Sequence, residues 1–147
     1  MRAGIQLWPI GALGLALLGA CAAPSVQLQT VFGDARENNI AALDKYEGRT
    51  WRVSGTVGRV GLKSRSEVEA EFSRGVATAR RVTRQVAYAV VTSGFGSGDS
   101  LVCFFEGREE AAKLQEGQDV TLEGAVYRIS ASGENVLVYM DECEVTK

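Results

Sequence analysis

The sequence predicts a mostly β domain, a five-stranded Greek-key barrel with an N-terminal helix and a short helix between its third and fourth strands. Two observations carry this. Residues 51–57 and 120–126 share one design, large apolar and polar residues alternating about a central glycine, and each is approached through Glu-Gly. The elements then run helix, strand, strand, strand, short helix, strand, strand, which is the order of the OB-fold barrel.

Residues 31–46 show no strand alternation. Phe32, Ala35, Asn39, Ala42 and Tyr46 recur at spacings of three and four, one face of a helix, and Gly48 ends it. Residues 51–57 form a half-buried first strand with a bulge expected at Gly55. Its counterpart, residues 120–126, carries Gly124, and strands bent at a mid-strand glycine let a small barrel turn its corners. The same pattern also suits two unrelated antiparallel strands. Residues 85–92 alternate around Val86, Tyr88 and Val90, and residues 101–105 supply the third strand. Between them Gly94-Phe95-Gly96-Ser97-Gly98 lacks the Lys and Ser/Thr of a phosphate loop and precedes a strand, so it is a hairpin turn. Residues 108–115 open with Glu109 and Glu110, place Lys113 near their end and meet Gly117 beyond, the signature of a short helix. The last strand, residues 136–145, follows a turn at Ser132-Gly133-Glu134.

Residues 61–84 stand between the first and second strands and exceed a tight turn. Glu67 to Phe72 alternates strictly and suits a hairpin arm, whereas Ser66 with Glu69 resembles a capping box and Val68, Phe72, Val76 and Ala79 suit a helix. Both readings stay open, and the extension is the first place to look for function.

The start of the chain is basic at Arg2, then apolar from Ile5 to Ala20 apart from Gln6 and Pro9, too short for a membrane span. It ends Leu18-Gly19-Ala20-Cys21, which resembles the lipobox of bacterial lipoproteins. The resemblance implies a signal peptide over residues 1–20, cleavage before Cys21, lipid on Cys21 and a lipid-anchored tether over residues 21–30, with the domain over residues 31–147. Ala22, where an inner-membrane lipoprotein often has Asp, implies the outer membrane facing the periplasm. Two or three acyl chains anchor stably where one does not.

From Cys21 the chain has 127 residues, the length of one domain. It has no histidine, which removes the usual general base, the Ser/His and Cys/His pairs and the commonest zinc ligand. No catalytic residue, metal ligand or cofactor is therefore expected. Besides Cys21 only Cys103 and Cys143 occur, and in an oxidising compartment they are expected to form a disulfide closing a loop of about 40 residues, with two buried free thiols as the alternative. They fall on the third and fifth strands, neighbours in an OB barrel.

Charge is uneven. Residues 49–84 hold nine Lys or Arg against three Glu, whereas residues 98–147 hold four against eleven acids. This implies either a basic patch for an anionic partner or opposite charges that meet across the fold. Arg80, Arg81, Arg84, Tyr88 and Phe104 are the candidate binding residues, since an OB barrel binds with aromatics and cations on its second and third strands; core packing is the competing role for the aromatics. Nucleic acid is the less expected ligand, because residues 21–147 are net negative and an exported domain meets little of it. Asp141, Glu142 and Glu144 do not form a cation site by pattern, since strand neighbours point to opposite faces.

Residues 39–49, 53–57, 102–105, 114–124 and Cys143 resemble the tRNA_anti-like group of bacterial OB-fold proteins. The resemblance covers most of the domain and implies an OB fold, with no catalytic residues to carry over. The expected function is a membrane-tethered, non-catalytic binding module of the cell envelope. Its partner is an anionic envelope ligand or another envelope protein, the latter making it an assembly accessory.

Overall fold

A strand that is apolar on one side buries that side when the sheet curls on itself, and here the sheet closes. The structure is a computed structural model that describes residues 22–72, 84–94, 98–133 and 135–146, so Cys21, Arg80 and Arg81 lie outside the described residues. In chain order the elements are β1 (Ser25–Gln27), α1 (Leu28–Glu37), α2 (Asn39–Tyr46), β2 (Thr50–Ser64), α3 (Arg65–Phe72), β3 (Gln85–Thr92), β4 (Ser100–Phe105), α4 (Arg108–Ala111), β5 (Asp119–Ser132) and β6 (Asn135–Thr146). The sheet runs β1-β2-β3-β4-β6-β5, and β5 returns to pair with β2. Strands β2 to β6 thus make the five-stranded barrel, all antiparallel except β4 with β6, and this is the strand order of the OB fold.

The first half of β2 pairs with β5, Val53 opposite Leu122, and its second half with β3, Leu62 opposite Ala87. One long strand therefore serves both sides of the closure. The β2–β3 register slips between Val57 and Arg59, so the bulge falls at Gly58 and not at Gly55. Gly55 is instead a point of close approach: a Cβ there would meet Val91 Cγ1 at 2.6 Å and the Thr92 carbonyl oxygen at 2.7 Å. The β5–β6 register slips between Glu123 and Ala125, where Gly124 faces Glu142 and Cys143, and Glu142 takes a left-handed φ of 52°.

Cys103 on β4 and Cys143 on β6 form a disulfide, 5.9 Å apart at Cα. It lies in a core built from the inward residues Val53, Val57, Ala89, Leu101, Val138 and Met140. One end of the barrel is closed by Leu28, Val31, Phe32 and Ala35 of α1 with Ala42 and Tyr46 of α2.

Three boundaries differ from the sequence reading. The expected tether over residues 21–30 is structured from Ser25, because Ser25–Gln27 pair in parallel with Arg52–Ser54 and Leu28 is buried. The expected single helix over residues 31–46 is two helices, broken at Asn38, whose extended backbone frees its Oδ1 to accept the Ala41 N–H at 3.1 Å and cap α2. Asp34 braces the corner by accepting from Lys45 Nζ at 2.7 Å and the Tyr46 hydroxyl at 2.6 Å. The helix expected over residues 108–115 ends at Ala111, with Leu114 packed into the core beyond it.

Candidate ligand-binding face

In β3 and β4 both faces are buried. Ala87, Ala89, Val91, Leu101, Cys103 and Phe105 point inward, while Tyr88, Val90, Val102 and Phe104 point outward and form a second cluster with Tyr139 of β6 and Val68 of α3. The outer faces of β3 and β4 are the second and third strands of the barrel, where OB folds bind their ligands. Here that surface is covered by this chain's own α3.

Of the extension, residues 61–64 continue β2 in its pairing with β3, residues 65–72 form the helix α3, which Ser64 caps, and Val76 and Ala79 lie outside the described residues. The Glu67 N–H donates to Ser64 Oγ at 3.3 Å, and Glu67 Oε2 accepts from the Ser64 N–H at 2.9 Å. This is a reciprocal capping box over Ser64 and Glu67, two residues earlier than the Ser66 and Glu69 pair the sequence suggested. The hydrogen bonds from the Ser64 hydroxyl and then its backbone hold the Glu67 carboxyl below its ordinary range. In the resulting turn Val68 reaches full burial among Tyr88, Phe104 and Tyr139, and Phe72, four residues on, packs at the edge. Burying one valine contributes about 1.5–3 kcal/mol, whereas two helical turns have little stability of their own. The helix is therefore held mainly by this one anchor and the ion pairs around it.

Those pairs tie the acids of α3 to cations of the barrel. Glu71 accepts from Lys63 Nζ at 2.6 Å and Arg59 Nη1 at 2.8 Å, both on β2. The hydrogen bond from Lys63, then that from Arg59, holds the Glu71 carboxyl below its usual range. Glu69 accepts from the Tyr127 hydroxyl at 2.8 Å and lies 3.7 Å from Arg128 Nη1, both on β5. Burial, then the hydrogen bond to Glu69, pushes the Tyr127 hydroxyl well above its ordinary range. Arg65, the first residue of α3, pairs with Asp141 of β6.

The guanidinium groups also cover the rings. Arg59 stands 5.2 Å from the Phe72 centroid and 5.6 Å from that of Tyr88, Arg65 4.8 Å from Phe104 and 5.4 Å from Tyr127, and Arg128 5.5 Å from Tyr139. Among the described residues, Nε and Nη2 of Arg59 are buried without a hydrogen-bond acceptor.

Of the expected binding residues, Tyr88 and Phe104 sit side by side as register partners, yet both are fully covered. Their rings pack under α3 and are not open for stacking. Arg84 is exposed and lines a cleft of about 810 Å³ with Arg65, Arg108 and Asp141. Arg80 and Arg81 lie outside the described residues. Arg59, Lys63, Arg65, Arg128, Tyr127 and Tyr139 complete the face and were not singled out by the sequence. The signal was the unbroken apolar character of residues 86–91 and 101–105, which demands cover on both sides of those strands.

The two charge blocks meet in part. Arg52 pairs with Glu123 at 3.0 Å and Arg65 with Asp141, while Arg59 and Lys63 pair within their own block. Acid also gathers where Glu106, Glu109, Glu110, Glu142 and Glu144, with Arg108 and the Arg52-paired Glu123, line a groove of about 750 Å³ beside Cys143. Among the described residues no three or more Cys, Asp or Glu come together as a metal site.

No protein-family model matches the chain, and no curated protein matches it. The resemblance to the tRNA_anti-like group thus rests on short structural motifs. Among solved structures the chain is similar to a provisionally assigned nucleic acid-binding lipoprotein from Klebsiella pneumoniae subsp. pneumoniae, with a TM-score of 0.61 and 16% identity over 85% of this chain and 92% of that one. At that identity the likeness is one of fold. A replication factor A related protein from Methanobacterium thermoautotrophicum is a looser match, with a TM-score of 0.39 and 17% identity over 68% of this chain and 83% of that one.

Proposed function

We propose that the chain is a non-catalytic OB-fold binding module of the bacterial cell envelope, anchored by lipid on Cys21 in the outer membrane facing the periplasm, and that it binds an anionic partner at the face covered by α3. The observation that carries this is the cationic rim on the fold's customary ligand surface. Arg59, Lys63, Arg65 and Arg128 ring one aromatic cluster, and their side chains keep 39–46% of their surface exposed. Each of the four is open to an acceptor oxygen from solvent. The lipoprotein designation of the similar Klebsiella protein agrees with an anchor on Cys21.

The chemistry at hand favours binding over turnover. The chain lacks histidine, and the buried carboxylate Asp99 is occupied by Arg36 and by the Val136 N–H.

Capture from native membranes tests the reading. A photo-crosslinking residue at position 84 of the lipidated protein should give a discrete adduct whose yield falls steeply with salt and with Arg59→Ala plus Arg128→Ala. An adduct indifferent to both changes would remove the cationic rim from the function. Cys21→Ser should move the protein from the membrane to the soluble fraction, and retention of the uncleaved variant in membranes would reject the anchor.

A further inference from the structure

We infer that the outer face of β3, β4, β5 and β6 is a groove for an acidic amphipathic helix, that α3 is its resident occupant, and that a helix of the same chemistry on a partner protein replaces it. This rests on the assignment of that face as the binding face, and it names the partner. The occupant itself displays what the groove accepts. Val68 fills the apolar floor and Phe72, one turn on, packs at its edge, while Glu69 and Glu71 meet cations on opposite walls, Arg128 on one side and Arg59 with Lys63 on the other. That is helix-in-groove recognition, with anchors at i and i+4 and charge complementarity at the edges.

Three features favour a helix over a stacked polymer. The ring faces of Tyr88, Phe104 and Tyr139 already carry guanidinium groups, so bases could stack on them only after the arginines moved. The groove's buried floor takes a branched aliphatic side chain, Val68, at full burial. Arg59 keeps two buried donors that α3 leaves without an acceptor, and a partner helix bearing one more carboxylate would satisfy them. Displacement is within reach because α3 is two turns long and its ion pairs are exposed. With α3 away, Arg59, Lys63 and Arg128 of the strands lose both of their helical carboxylates, so the opened groove selects an acidic replacement.

The test uses the mature lipidated protein in detergent micelles and two probes, an end-capped fluorescent peptide of residues 64–73 and a single-stranded oligothymidylate. In the variant Glu69→Lys with Glu71→Lys the resident helix is repelled from the cations, and the peptide should bind it about tenfold or more tightly than the wild type. Val68→Ala, which loosens the helix without altering charge, should strengthen peptide binding in the same direction and serves if the double variant fails to fold. A peptide carrying the same two lysines should bind neither. Equal affinity for wild type and variants, or indifference to the peptide's acids, overturns the proposal. So does a preference for the oligothymidylate, which leaves the binding face standing with a different ligand, or dimers formed by exchange of α3 between copies. If hydrogen exchange shows α3 released and neither probe binds, the proposal and the binding-face reading both fall.

Discussion

A methyl group at Gly55 would sit 2.6 Å from Val91 Cγ1 and 2.7 Å from the backbone oxygen of Thr92, inside the closure of β2 on β3, whereas one at Gly33 on α1 would meet nothing within 4 Å. The two glycines therefore answer the same substitution with opposite signs. Gly55→Ala should cost about 1–3 kcal/mol through overpacking, and Gly33→Ala should add about 0.5–1 kcal/mol by stiffening the unfolded chain and favouring the helix. Urea unfolding of the two variants checks both values. Gly55 was legible as a special residue but not for its reason. A glycine inside a strand marks either a bulge or a close backbone approach, and only the three-dimensional register separates the two. At Gly124 the bulge and the close approach coincide, a Cβ there meeting the Asp141 carbonyl oxygen at 2.9 Å opposite the register slip.

At the scale of elements, α3 is where the sequence left two conformations open and the structure chose. Its last six residues alternate like a strand, and two overlapping Ser-x-x-Glu matches begin at Ser64 and Ser66, so neither the conformation nor the start could be fixed from pattern. The helix forms because Ser64 caps it and because Val68 finds the aromatic cluster. Glu67 and Glu71 titrate below their ordinary value of 4.5 in the folded chain. The stability they lend is complete above that value and is lost as pH falls through their lowered folded values. Amide protection in α3, each rate taken relative to its intrinsic value at the same pH and compared with β3 and β4, should therefore fall as pH drops below 4.5 while the strands keep theirs. A parallel loss of protection in both would mean that α3 opens only with the barrel. The α1–α2 corner teaches a related lesson. The three-four periodicity runs through Asn39 without a break, yet Asn38 is a strong cap residue, and a cap inside a periodic run is the sign of two helices.

For the whole molecule, the element order and the pairing of Cys103 with Cys143 were readable because the barrel places its third and fifth strands side by side, and the chain carries just two cysteines besides Cys21. The bridge ties β4 to β6 across 40 residues of chain. Replacing both cysteines with alanine should lower stability by about 3–4 kcal/mol, measurable by denaturant unfolding with the wild type kept oxidised. What could not be read was the covered outer face. The apolar runs of β3 and β4 announce that something packs on them, but which segment does so depends on where β2 ends and which way the chain turns there.

Ser25 enters the sheet beside Arg52, and only Ala22, Ala23 and Pro24 separate it from Cys21. Four residue steps at about 3.3–3.6 Å each reach no more than about 14 Å, roughly half the thickness of a bilayer's hydrocarbon core. With the proposed lipid on Cys21, the barrel would berth against the headgroups instead of swinging on a stalk. A partner would then have to come to that surface, so encounters would follow a two-dimensional search and favour molecules that are themselves membrane-bound.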